Sequence, residues 1–205
     1  SEMSERNEYN PGEFCWVDLA TPDMDASVGF YGDLMGWERE QLGDSEEAHG
    51  YSNFTYKGKA TAGVGTMVME GRPPAWSSYV NVSDADETAA KVKEAGGKVL
   101  MDPFDAPGGS GRMTVCQDAE GAIFSIWQAG AFKGAELVNE VGSWTWNNLV
   151  SRDLEKAKGF YGDVFGWTLG KAEGMPPDVH FFNWQVEGQK WGEGLAGAVE
   201  AGAEG

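Results

Sequence analysis

Hydrophobic and small or polar residues alternate over residues 14–19 (FCWVDL), which predicts a strand carrying aromatic side chains. Asp23 is placed to cap a helix in which Val28, Tyr31 and Met35 share one face, and Gly36 ends it. Residues 50–56 and 61–69 read as two strands joined by a turn at Lys57-Gly58-Lys59. A second unit follows with the same plan. Ser77–Val82 alternates as a strand, and a helix starts at Asp84 or Asp86 and runs through Glu94 with Ala89, Val92 and Ala95 on one side. Gly96-Gly97 stops it, and strands are predicted at Lys98–Met101, Arg112–Gln117 and Ala122–Gln128. A glycine-rich loop at 107–111 and a turn at 118–121 separate them.

The chain then repeats itself. Residues 14–37 (FCWVDLATPDMDASVGFYGDLMGW) match residues 144–167 (WTWNNLVSRDLEKAKGFYGDVFGW) at an offset of 130. Trp16 pairs with Trp146, Asp23 with Asp153, the Gly-Phe-Tyr-Gly-Asp block with its copy, and Asn53 with Asn183. The two histidines, His49 and His180, miss the register by one. Such matching indicates duplication of a half-chain. Two similar units therefore occupy residues 12–130, and a third unit with a partial fourth is expected over 140–205. Val199-Glu200-Ala201-Gly202 resembles the end of the unit-two helix, but the strand expected before it is absent. Either segments of the fourth unit are lacking or a partner chain completes it.

Composition narrows the partners. The 205 residues are 41% hydrophobic, with 9 Trp and 10 Phe, enough for a sizeable core. Fifteen Lys+Arg against 33 Asp+Glu give a net charge of −18, which repels phosphate backbones and anionic membranes. No nucleic-acid or membrane partner is expected, and no apolar run reaches the ~18 residues of a membrane span. Cys15 and Cys116 sit in apolar surroundings as small hydrophobes rather than as a disulfide framework. The first 14 residues lack the basic and apolar regions of a signal peptide, so the cytoplasm is the expected compartment.

The pattern D-x-x-x-S/A-x-x-FY-x-D-x-x-GW in units one and three, with DAEGAIFSIW closing unit two, resembles the vicinal oxygen chelate superfamily. That superfamily includes glyoxalase I, extradiol dioxygenases and bleomycin-resistance proteins. The WVDLATPD and GRMTVCQDAEGAIFSIWQ phrases are similar to a tandem actinobacterial glyoxalase-like subgroup. The resemblance implies an α+β fold of tandem βαβββ modules paired into curved-sheet barrels, with the fourth module incomplete. Its metal-dependent members hold a divalent ion at four strand positions, which in this sequence carry Trp16, Asn53, Ser78 and Ser125. Such a set does not chelate zinc, nickel or iron, so no metal or other cofactor is expected.

The aromatic residues offer a different chemistry. Trp16 and Trp127, the latter in phase with Ser125, suit a flat organic molecule held by stacking, or else they fill the barrel. Asp18 is in phase with Trp16, and an enclosed carboxylate at this place can act as a general base. Its counterpart in the second copy is Asn148. His49, four residues before Asn53, reaches the same face if the strand is regular, whereas His180 does not. Arg112 is either an anion contact at the pocket edge or a salt-bridge partner of surface carboxylates. The expected function is metal-free binding of a small aromatic or natural-product-like molecule, with resistance by sequestration as its use. The alternative is a metal-independent isomerase or lyase using Asp18. One ligand is expected per chain, in residues 12–130, with the C-terminal half as scaffold or homodimer contact.

Overall fold

The computed structural model describes residues 5–42, 50–66, 71, 73–171, 181–186 and 196–200. The first unit is β1 (Phe14–Thr21), α1 (Met24–Met35), β2 (Glu38–Gln41), β3 (Ser52–Tyr56) and β4 (Lys59–Thr66). The second is β5 (Ala75–Asn81), α2 (Ala85–Glu94), β6 (Lys98–Asp105), β7 (Gly111–Gln117) and β8 (Ile123–Ala129). The third is β9 (Asn148–Ser151), α3 (Leu154–Phe165), β10 (Thr168–Lys171), β11 (Phe181–Gln185) and β12 (Ala196–Glu200). The α+β architecture anticipated from the sequence is therefore observed.

Local chemistry sets the helices. Asp23, Asp84 and Asp153 each accept a backbone N–H three residues on, at 3.0, 2.9 and 3.0 Å, as N-caps do. Gly36 and Gly166 close α1 and α3 in the left-handed region, at φ 71° and 70°. Lys57 and Gly58, both at positive φ, make the two-residue turn between β3 and β4.

Units one and two share one eight-stranded sheet in the order β2-β3-β4-β1-β5-β8-β7-β6, joined where β1 runs antiparallel to β5. Within the third unit, β10-β11-β12-β9 repeats the order β2-β3-β4-β1, with β12 parallel to β9 as β4 is to β1. Val199 and Glu200 thus belong to a strand, which corrects their comparison with the end of a helix. The third unit packs its helix on the second: Phe160, Tyr161 and Val164 of α3 share a core with Val92 of α2, and with Phe124 and Ile126 of β8. Val17, Leu19, Phe54 and Val64 form the separate core beneath α1.

The duplication is visible in reciprocal contacts. The Trp37 indole donates to the Gly142 carbonyl at 2.6 Å, and its counterpart Trp167 donates to the Gly12 carbonyl at 2.8 Å. Donor and acceptor are each displaced by the same 130 residues, so units one and three clasp each other in pseudo-twofold fashion.

Candidate functional site

Strand alternation gives the eight-stranded sheet two faces. Val17 and Leu19 of β1 face α1, so Trp16 and Asp18 face the inner side. Cross-strand register extends this face. Asn53, Gly63, Asp18 and Ser77 form one row across β3, β4, β1 and β5. Trp16, Tyr79, Ser125 and Val115 form the next across β1, β5, β8 and β7. Trp127 and Met113 follow. Phe132 closes that end edge-on against Trp16, with ring centroids 4.8 Å apart, and its carbonyl accepts from Trp127 Nε1 at 3.1 Å.

The centre of this face is a hydrogen-bonded chain. The Trp16 indole donates to the Tyr51 hydroxyl at 2.8 Å, and Tyr51 donates to Asp18 Oδ2 at 3.1 Å. Tyr79 donates to the same Oδ2 at 2.8 Å, and Ser125 supports the Tyr79 oxygen. Asp18 is buried, and among the described residues no Lys or Arg pairs with it. Burial pushes its carboxyl up to about 6, against the lowering effect of the Tyr79 and Tyr51 hydrogen bonds. Both phenols are raised well above their usual range, first by burial and then by the Asp18 charge. The result is a carboxyl held above the usual carboxylate range, lodged among rings and two phenols that remain protonated.

Tyr51 reaches Asp18 because β4 lacks side chains beneath it. A Cβ on Gly63 would overlap the Tyr51 hydroxyl and stand 2.9 Å from Asp18 Cβ, and one on Gly65 would stand 2.8 Å from Tyr51 Cδ2. The second copy repeats the stacking without the polar chemistry. Phe181 stands in place of Tyr51, lies over Gly197, and faces Asn148 in place of Asp18. Trp146, the counterpart of Trp16, is 43% exposed where Trp16 is 4% exposed.

The structure brings together Trp16, Asp18, Asn53, Ser125 and Trp127 on one face. It places two candidates elsewhere. Ser78 pairs with Val17 and faces the other side of the sheet. There it donates to Asn147 Oδ1 at 2.5 Å, beside a cavity of about 140 Å³ between β5 and the third unit. Tyr79, one residue on, holds the inner position instead. Arg112 is likewise out of phase with Met113. Its guanidinium binds Asp86 at 2.6 and 3.0 Å, Asp105 at 3.0 Å and the Pro103 carbonyl at 3.1 Å. The surface salt-bridge alternative thus describes its contacts. His49 and His180 lie outside the described residues. Sequence reasoning missed Tyr51 and Tyr79, although Tyr51 is two residues before Asn53 and so in phase with it.

Tandem βαβββ units sharing a curved sheet define a class of fold, and comparison with known proteins agrees. Residues 14–126 match the Glyoxalase/Bleomycin resistance protein/Dioxygenase superfamily, and residues 144–175 match the bleomycin resistance protein-like N-terminal family. The chain belongs to the glyoxalase/bleomycin resistance/dioxygenase superfamily. It is 39% identical over 174 residues to CFP32 of Mycobacterium tuberculosis, which carries a provisional glyoxylase name; the match covers 83% of this chain and 66% of that protein. It is 35% identical over 208 residues to the anthracycline biosynthesis protein DauV of a Streptomyces species, covering 93% of this chain and 74% of that one. The chain thus spans about two thirds to three quarters of these relatives. Among solved structures, a Mn(II)-bound glyoxalase from Novosphingobium aromaticivorans shares the fold with TM-score 0.64 at 14% identity, over 93% of this chain and 62% of that one. A 2,2',3-trihydroxybiphenyl 1,2-dioxygenase from Sphingomonas wittichii does so with TM-score 0.60 at 14% identity, over 94% and 68%.

A divalent metal of the kind that glyoxalase holds does not suit the inner face seen here. An indole N–H has no lone pair to give, and Asn53, Tyr79 and Ser125 offer only neutral oxygens around the single carboxylate of Asp18. Among the described residues, no group of three or more His, Cys, Asp or Glu side chains could hold an ion. No described helix is long and apolar enough to cross a membrane.

Proposed function

We propose that this protein binds a planar aromatic small molecule on the inner face of the first sheet, without a metal, and that Asp18 is the polar group that recognises it. The observation that carries this reading is the Asp18 carboxyl, buried without a cation between Trp16, Tyr51 and Tyr79. A fold needs no such group in its interior, since an unpaired buried carboxyl costs stability. Rings on either side supply the apolar walls that planar ligands need. Relatives named for anthracycline biosynthesis support a polycyclic aromatic natural product as the ligand class. Sequestration of such a compound is the use we assign to this binding.

A second reading has its own observation. The Asp18 carboxyl titrates at about 6, so it can take a proton from a bound molecule and return it at another atom, as an isomerase does. One experiment addresses both. Chelator-treated protein is mixed with an anthracyclinone, its melting temperature is followed, and the recovered compound is weighed by mass spectrometry and resolved by chromatography. Saturation at 100 times the dissociation constant should add about 2.7 kcal/mol of stability. A recovered compound of unchanged retention time supports sequestration, and an isomer of equal mass supports turnover. Stabilisation seen only after a divalent metal is restored would contradict both.

A further inference from the structure

Tyr51 sits in the candidate site in an unusual manner. It lies just before β3, outside the β3–β4 register that begins at Ser52, and follows Gly50 at φ 77°. Its ring nevertheless crosses β4 to reach β1. The floor beneath it is backbone, because Gly63 and Gly65 carry no Cβ and any Cβ there would strike the ring. The far end of this slot has a donor, Trp16 Nε1, and an acceptor, Asp18 Oδ2, at 2.8 and 3.1 Å from one hydroxyl. A slot one ring wide, ending in a donor and an acceptor for a single oxygen, describes recognition of a phenol. A carbonyl ligand would accept from Trp16 but leave Asp18 with the Tyr79 hydroxyl alone, and a plain hydrocarbon would also leave the Trp16 indole without an acceptor.

The second copy separates the ring from the hydroxyl. Phe181 lies on Gly197 in the equivalent place, so a ring over glycine belongs to the module itself. The hydroxyl and the carboxylate it serves are replaced together, by Phe181 and Asn148. Among the described residues, a ring hydroxyl bonded to this carboxylate is thus found in the first copy.

We propose that the Tyr51 side chain occupies, in the free protein, the place of the ligand's own phenol ring, and that the site takes hydroxylated aromatic molecules. On binding, the ligand ring lies on Gly63 and Gly65, its hydroxyl accepts from Trp16 and donates to Asp18, and Tyr51 turns out. Tyr79 keeps its bond to Asp18 throughout, from within β5. This rests on the inner-face reading above and names its ligand class. Tyr51 is then an intramolecular competitor, and the apparent affinity of the site falls by the fraction of time the ring is in place.

The test is calorimetry with 2-naphthol and naphthalene on the whole chain. Wild type should bind one 2-naphthol, and Tyr51→Ala should bind it at least tenfold more tightly because the competitor is gone. In Tyr51→Ala, naphthalene should bind at least tenfold more weakly than 2-naphthol, and adding Asp18→Asn should narrow that gap. Absence of 2-naphthol binding to wild type, or weaker or unchanged binding to a folded Tyr51→Ala, would overturn the proposal. Should Tyr51→Ala fail to fold, Tyr51→Phe serves in its place. It keeps the ring but loses both hydrogen bonds, so it should yield to 2-naphthol more easily than wild type, and equal or weaker affinity would overturn the proposal. Anthracyclinone stabilisation of wild type, measured separately, tests the wider reading whichever way these titrations fall.

Discussion

Asp18 is the residue on which the proposed site turns. Its carboxyl titrates at about 6 in the fold, against an unfolded value near 4. The folded chain therefore holds a proton that the unfolded chain has released between those values, and stability from this group falls as pH rises through that window. The cost at pH 8 relative to pH 4 is about 3 kcal/mol. Asp18→Asn removes the titration. Its stability relative to wild type should rise by up to that amount between pH 4 and pH 8, measured by urea unfolding at each pH. A constant difference across the range would show that Asp18 is not held near neutrality. Strand phase pairs Asp18 with Trp16 and Trp127 with Ser125, and the cross-strand register sets both pairs on one face. The family position at Ser78 does not lie on that face, because the register of β5 against β1 sets Tyr79 opposite Trp16 and Ser78 opposite Val17. Tyr51 was hidden for a different reason: its reach depends on Gly63 and Gly65, on the neighbouring strand and more than ten residues away.

At the scale of elements, the sequence was legible where a local device fixes the structure. The aspartate caps, the closing glycines at 36 and 166 and the Lys57-Gly58 turn all carry their own signal. β2 carries none: Glu38, Arg39, Glu40 and Gln41 are polar and exposed, and only pairing with β3 makes them a strand. The short β12 gave a misleading one, since Val199 and Glu200 begin a run that resembles the end of α2, and pairing with β9 and β11 decides otherwise. The flat strip of β4 leads to a prediction of its own. Gly63→Ala should leave the hairpin of β3 and β4 intact but drive Tyr51 off Asp18. Trp16 fluorescence should change, and the Asp18 titration should shift, as followed by carboxyl-selective infrared difference spectra. An unaltered titration with the fold preserved would mean that Tyr51 does not shape the environment of Asp18.

Across the whole molecule, duplication has produced two copies with different surroundings. α3 is covered by α2, and Phe160 and Val164 are 3% and 5% exposed. Their counterparts on α1, Phe30 and Leu34, are 59% and 63% exposed. The 130-residue offset announced the copies, but these differences arise from packing between units that no local pattern records. The inner faces diverge in the same way: Trp16 is enclosed and its partner Trp146 is open, and the carboxyl of Asp18 is an amide at Asn148.

The central claim is that one metal-independent site, built around Asp18 in the first sheet, serves the whole chain. It is tested most directly by calorimetric titration of chelator-treated protein with an anthracyclinone, comparing wild type, Asp18→Asn and Asn148→Ala. The account predicts one ligand per chain, affinity lowered at least tenfold by Asp18→Asn, and affinity unchanged by Asn148→Ala. Two ligands per chain, equal losses at both positions, or binding that returns only with added metal would contradict it.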